Sequence, residues 1–164
     1  MDRHSPPGAE RLDRNQWLIA GGWLSLAAAA LHVACIFGGP EWYRFFGAGE
    51  AIAQADARGS WIPALIATGI ATLLAIAAAY AFAGAGLIRR LPLMRPALVA
   101  ISAVYLLRGA MVAMPSAMGR GDLSAAFIFW SSLIVLVYGV CYAAGTWSAW
   151  PHLSRRKTVH ALGS

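Results

Sequence analysis

Between Trp17 and Phe37 the chain runs twenty-one residues without an aspartate, glutamate, lysine or arginine. A helix of that length rises about 32 Å, enough to cross the hydrocarbon core of a bilayer. Comparable apolar runs occupy 61–86, 96–114 and 125–147. None alternates apolar and polar residues with period two, which excludes a membrane β-barrel. The fold class this predicts is all-α: a four-transmembrane-helix bundle with a short interfacial helix in the first outer loop. Composition supports it. Of the 164 residues, 59% are hydrophobic and only 12% charged, and the mean hydropathy is +0.60. An ordinary soluble domain carries roughly 25% charged residues, so lipid is the solvent for most of this chain.

The net charge of +6 would suit a nucleic-acid partner if it were gathered on one face, but it is not. Arg3, Arg11 and Arg14 precede the first run, Arg89, Arg90 and Arg95 lie around the second link, and Arg155, Arg156 and Lys157 close the chain. Four spans put those three segments on one side, and a Lys/Arg bias marks the cytoplasmic side. The expected organisation is therefore a flexible cytoplasmic tail at 1–16, one membrane domain at 17–150, and a basic cytoplasmic tail at 151–164. Segments 38–60 and 115–124 fall outside. The bilayer of a cell's inner (plasma) membrane is the expected partner, with no nucleic acid. The first run is longer than the ~7–15 residues of a signal-peptide core and reads as an uncleaved anchor. LHVAC at 31–35 is like a lipoprotein cleavage box, but His32 stands where an aliphatic residue belongs.

Most of the chemistry sits in GGPEWYRFFGAGE, residues 38–50. Trp42, Phe45 and Phe46 recur at helical spacing and suit a membrane–water boundary. Gly47 and Gly49 predict a break or an inward turn after one helical turn. In the second run Ala64, Thr68, Ala71, Ala75 and Ala78 predict a small-residue packing face, and Gly139, Ala143 and Trp147 recur every four residues in the fourth. Such faces also invite a homo-oligomer.

Arg108 is the one charge inside a predicted span, about 18 Å from the start of its run, and Tyr105 shares its face. A charge there faces protein or a wet cavity and needs a partner. It reads as a clamp for an anion or substrate headgroup, as a structural ion pair with Glu50 or Glu41, or as a side chain snorkelling outward. His32 joins Ser25, Ala28 or Ala29, and Cys35 in a small polar stripe that should face the bundle. It reads as an interhelical bridge, a proton acceptor or a metal ligand. Topology places His32, Glu41, Glu50 and Arg108 at one end of the bundle, which predicts a small-molecule pocket lined by His32, Glu41, Tyr43, Arg44, Glu50, Trp61, Tyr105 and Arg108. A Cu(I) site of His32, Cys35, Met111, Met114 and Met118 is the metal alternative, soft donors selecting that ion. Methionine at helical spacing is more often packing, so no cofactor is expected. Cys35 and Cys141 fall at different depths, too far apart for a disulfide.

The intramembrane histidine, WYRFFGAGE at 42–50, YLLRG at 105–109 and WSSLIVLVYG at 130–139 together resemble small uncharacterised bacterial inner-membrane proteins with four spans. The outline is also similar to the sterol-isomerase and sigma-2 receptor-like fold, whose intrabundle acids this chain lacks. The function expected is an outward-opening pocket for a small molecule or lipid, in transport or sensing. The alternatives are a membrane-embedded enzyme, with His32 or Glu50 as acid/base and Arg108 as anion clamp, and a structural or assembly protein without a ligand.

Overall fold

A computed structural model describes residues 15–113 and 125–153. The described residues are helical, with no strand among them: α1 (Gln16–Gly38), α2 (Pro40–Phe45), α3 (Glu50–Ala57), α4 (Ile62–Gly84), α5 (Met94–Ala110) and α6 (Ala125–Leu153). A single 3₁₀ turn, Met111–Ala113, follows α5. Three helices, α1, α4 and α6, are long and apolar enough to cross a membrane. The third expected span, α5, has 17 residues and holds Arg95 and Arg108, so it falls short of the ~20 apolar residues of a span. The expected tails fall almost wholly outside the described residues, as does 114–124.

Successive long helices run antiparallel. Leu18, in the first turn of α1, sits against Gly84 at the end of α4 and Gly145 near the end of α6. Pairs α1–α4 and α5–α6 pack most extensively, and α6 closes back on α1. The interior is made of small residues. In α4 the buried positions include Pro63, Ala67, Ala71, Ala78 and Ala81, while Leu65, Ile66, Ile70, Leu73 and Ile76 face outward. A water-soluble domain has the opposite arrangement. Where lipid removes the hydrophobic drive between helices, small residues hold them by letting backbones approach closely. The small face of α4 differs from the one expected: Thr68 and Ala75 are exposed. Alanines on both sides of that helix leave its rotational phase unmarked. Trp147 likewise points outward, 82% exposed, although Gly139, two turns earlier, is buried.

The end of the bundle opposite α2 and α3 is tied by polar side chains. Asn15 accepts a hydrogen bond from the Leu18 N–H at 3.2 Å and caps α1. Its Nδ2 donates to the Gly145 carbonyl at 2.6 Å and to Ser148 Oγ at 2.9 Å. Arg95 donates to the Trp150 carbonyl at 3.0 Å, and its guanidinium lies 4.6 Å from the centre of the Trp150 ring. This supplies a partner and a positive charge at a helix end with orphan carbonyls. It helps carry α6 to Leu153, past the expected end at 147. Pro151 is tolerated in that final stretch.

Candidate functional site

Two short helices, α2 and α3, cap one end. Pro40 opens α2 at a position where its missing N–H is harmless. Gly47 and Gly49 have φ of 75° and 93°, values that glycine takes without strain, and they turn the chain from α2 into α3. Gly47 also admits α6, since a Cβ there would lie 2.1 Å from Phe127 Cε1. Tyr43 points down into a buried cluster with Cys35, Ala53 and Ala67. Those contacts dock the cap on α1 and α4.

Docking through Tyr43 leaves the other side of α2 open. Glu41, Trp42, Arg44, Phe45 and Phe46 line a groove of about 660 Å³. Its rings contact each other: Trp42–Phe46 centroids are 5.8 Å apart and Phe45–Phe46 centroids 5.0 Å. Arg44 is fully engaged by acids. Its Nε and Nη2 donate to the two oxygens of Glu50 at 2.8 and 2.9 Å, and Nη1 donates to Glu41. This is the fork geometry in which guanidinium and carboxylate match. Gln54 Nε2 adds a bond to Glu50 at 3.2 Å.

Hydrogen bonding from Arg44, then from Gln54, holds the Glu50 carboxyl down at about 2. The same pairing raises the Arg44 guanidinium. A carboxyl whose folded value is depressed stabilises the fold above its ordinary pKa of ~4.3 and loses that contribution as the pH falls through the folded value. Acid should therefore loosen the cap between about pH 4 and pH 2. Protection of the α2 and α3 amides, taken relative to the intrinsic exchange rate at each pH, is expected to fall along that range in the wild type. A Glu50→Gln protein should show the looser cap already at pH 6, and equal profiles would mean that the pair does not hold the cap.

This pairing corrects the expected Arg108–Glu50 contact. Arg44 and Glu50 are six positions apart, so closing that loop costs little entropy, and the turn at Gly47 and Gly49 brings the two together. Arg108 instead donates from Nη1 to Ser132 Oγ on α6 at 3.2 Å. No carboxylate of the described residues lies within ion-pair distance of it.

The other expected site residues are dispersed. His32 Nδ1 bonds back to the Ala28 carbonyl at 2.8 Å, one turn earlier in its own helix. Trp61 is 69% exposed at the start of α4. Tyr105 lies deeper, where Ser25 Oγ is 3.0 Å from Tyr105 Oη and 2.9 Å from Tyr142 Oη. Ser25 is about 14 Å along α1, near the middle of the bundle. Glu41, Arg44 and Glu50 therefore share the cap, Tyr43 lies beneath them, and His32, Tyr105 and Arg108 occupy three separate places. Sequence reasoning passed over Tyr142 and Ser132, and took Trp42, Phe45 and Phe46 for boundary aromatics. Their one signal was a one-turn helix carrying both rings and charges.

Among the described residues no group of three or more His, Cys, Asp and Glu side chains could hold a metal ion. Met114 and Met118 lie outside the described residues. Cys35 and Cys141 are both free and buried. Gly21, whose Cβ position is 3.6 Å from Cys141 Cβ, precedes Cys35 by fourteen residues, about 21 Å of helix.

No protein-family model, curated protein or solved structure matches the chain. Fold and site define a class: an all-helical protein with three membrane-competent helices and a small capping subdomain.

Proposed function

We propose that this chain is a four-span protein of a bacterial inner membrane that binds a small molecule in the groove of its outer cap, in sensing or transport. The observation that carries this is the groove itself. Its volume of about 660 Å³ lies within the ~300–1,000 Å³ range of ligand pockets. Three aromatic rings and a fixed charge cluster line it, the mixture that binds and orients a small molecule. The fourth span rests on α5 with its 3₁₀ turn, 17 and 3 residues, which together rise about 31 Å. An enzyme using His32 or Glu50 with Arg108 has less support, because each of those groups bonds elsewhere and in a different place.

The groove is tested by native mass spectrometry of protein released from nanodiscs. The wild type should carry a bound small molecule that a Phe45→Ala, Phe46→Ala protein lacks. Identical spectra with no adduct would count against a binding role. Orientation follows from the basic segments, with α2 and α3 outside and both termini inside. In a background lacking Cys35 and Cys141, cysteine at Ala51 should react with an impermeant reagent on intact cells, and cysteine at Pro92 should not. The reverse pattern overturns the orientation, and reaction at both positions overturns the four spans.

A further inference from the structure

We infer that Arg108 marks a lipid site: its guanidinium binds the phosphate of an anionic phospholipid whose acyl chains lie along the outer face of α5. The site depends on the membrane reading of the long helices and not on the α2 groove, so loss of the groove leaves it standing. Hydrogen bonding is the first reason. A guanidinium carries its N–H donors in a rigid fork that matches a phosphate. In Arg44 that fork is filled by Glu50 and Glu41. Arg108 has one neutral bond, from Nη1 to Ser132 Oγ at 3.2 Å. Ser132 is fully buried, so the bond pins the guanidinium to the seam of α5 and α6. Nε and Nη2 have no acceptor among the described residues.

Depth is the second reason. Helix α6 has 29 residues, about 43 Å, which matches a bilayer of ~40–45 Å with its headgroups around a ~30 Å core. It begins at the end where Phe127 meets Gly47 of the cap. Ser132 lies about 10 Å along it from Ala125, so Arg108 is held just inside the hydrocarbon boundary, next to the layer of lipid phosphates. A bare charge there is costly, and a partner anion offsets the cost. Surroundings are the third reason. Arg108 is exposed, as are Ala100 and Ala103, and Val104 and Leu107 are 63% and 72% exposed. Val104 and Ala100 stand one and two turns further towards the bilayer centre on the same side of α5. A positive head above an apolar strip fits a phosphate with acyl chains beneath it. A choline lipid brings its own cation to that head, so a headgroup of net negative charge is favoured.

The test uses full-length protein with isotope-labelled arginine, delipidated in dodecylmaltoside. Its readout is the Arg108 Nε–H resonance, assigned by its loss in Arg108→Lys. Dihexanoylphosphatidylglycerol should shift that resonance saturably, at several-fold lower concentration than dihexanoylphosphatidylcholine. Leu107→Ser should weaken the response several-fold, because it removes apolar surface from the chain contact, and leave circular dichroism unchanged. An equal response to the two lipids overturns the anionic headgroup. An equal response to inorganic phosphate, or a Leu107→Ser protein that responds as the wild type does, removes the acyl chains and overturns the lipid. Asp122, in the segment outside the described residues, is the rival partner. A resonance moved by Asp122→Asn in lipid-free protein and indifferent to both lipids gives Arg108 to that carboxylate and overturns the site. No response to lipid, phosphate or Asp122→Asn overturns it as well and leaves Arg108 to water.

Discussion

Gly109→Ala should lower stability by about 3 kcal/mol or more, and Gly109→Val should leave no folded protein to purify. Overpacking a core typically costs ~1–3 kcal/mol when side chains can shift aside. At Gly109 they cannot, because a Cβ there lies 2.6 Å from Leu136 Cα and 2.8 Å from Leu136 N. The obstacle is the main chain of α6. Relief requires α5 to move away bodily, and the same interface is tight from the other side. A Cβ at Gly139 of α6 would lie 2.9 Å from Leu106 N on α5. Separating the helices would also stretch the Arg108–Ser132 bond. Gly69→Ala is the control: it has nothing within 4 Å of its Cβ position and should leave stability unchanged or raise it by up to about 1 kcal/mol, the helix-propensity gain of alanine over glycine. Thermal and SDS-induced unfolding of purified protein in micelles measure both. Equal effects at the two positions would show that α5 and α6 do not meet through Gly109.

The contrast between these glycines also marks what was legible in the chain. Helices follow from apolar run length and from breakers such as Gly47 and Gly49, and those were readable. Which way each helix faces follows from amphipathic contrast, and a lipid-facing helix hardly has any. Thr68 and Ala75 were therefore placed inward when they face out. Helical spacing rules pair residues three or four apart, so Arg44 and Glu50, six apart, were passed over. Only the turn between α2 and α3 makes them neighbours. Arg108 invited a search for a carboxylate because an intramembrane charge needs a partner. In the structure Arg108 is exposed and donates to a serine hydroxyl on the next helix, and sequence does not mark which of the serines in α6 faces α5. Tyr142 was invisible for the same reason, being one more aromatic in an apolar run.

Tyr142 should nevertheless be the side chain whose loss the fold feels most. Among the described residues it is the largest of the fully buried side chains. Its ring lies 5.2 Å from that of Tyr105 and against Gly21 of α1, where a Cβ would meet it at 2.9 Å. Truncation to alanine opens a cavity that surrounding helices refill only in part, and such changes cost about 3–5 kcal/mol. Tyr142→Phe keeps the ring and removes only the hydroxyl bonded to Ser25 at 2.9 Å. Ser25 retains Tyr105 as a partner, so the expected cost is about 1 kcal/mol. Ser25→Ala is the harsher small change, because it deprives both phenols at once and leaves polar groups in an apolar interior, at about 1–3 kcal/mol. Once Ser25 is gone, removing the Tyr142 hydroxyl relieves an unsatisfied group. The Ser25→Ala, Tyr142→Phe double mutant should therefore be more stable than the sum of the single effects predicts. Strict additivity in the same unfolding assay would show that these hydroxyls do not meet, and that the interior of α1, α5 and α6 is held by ring packing alone.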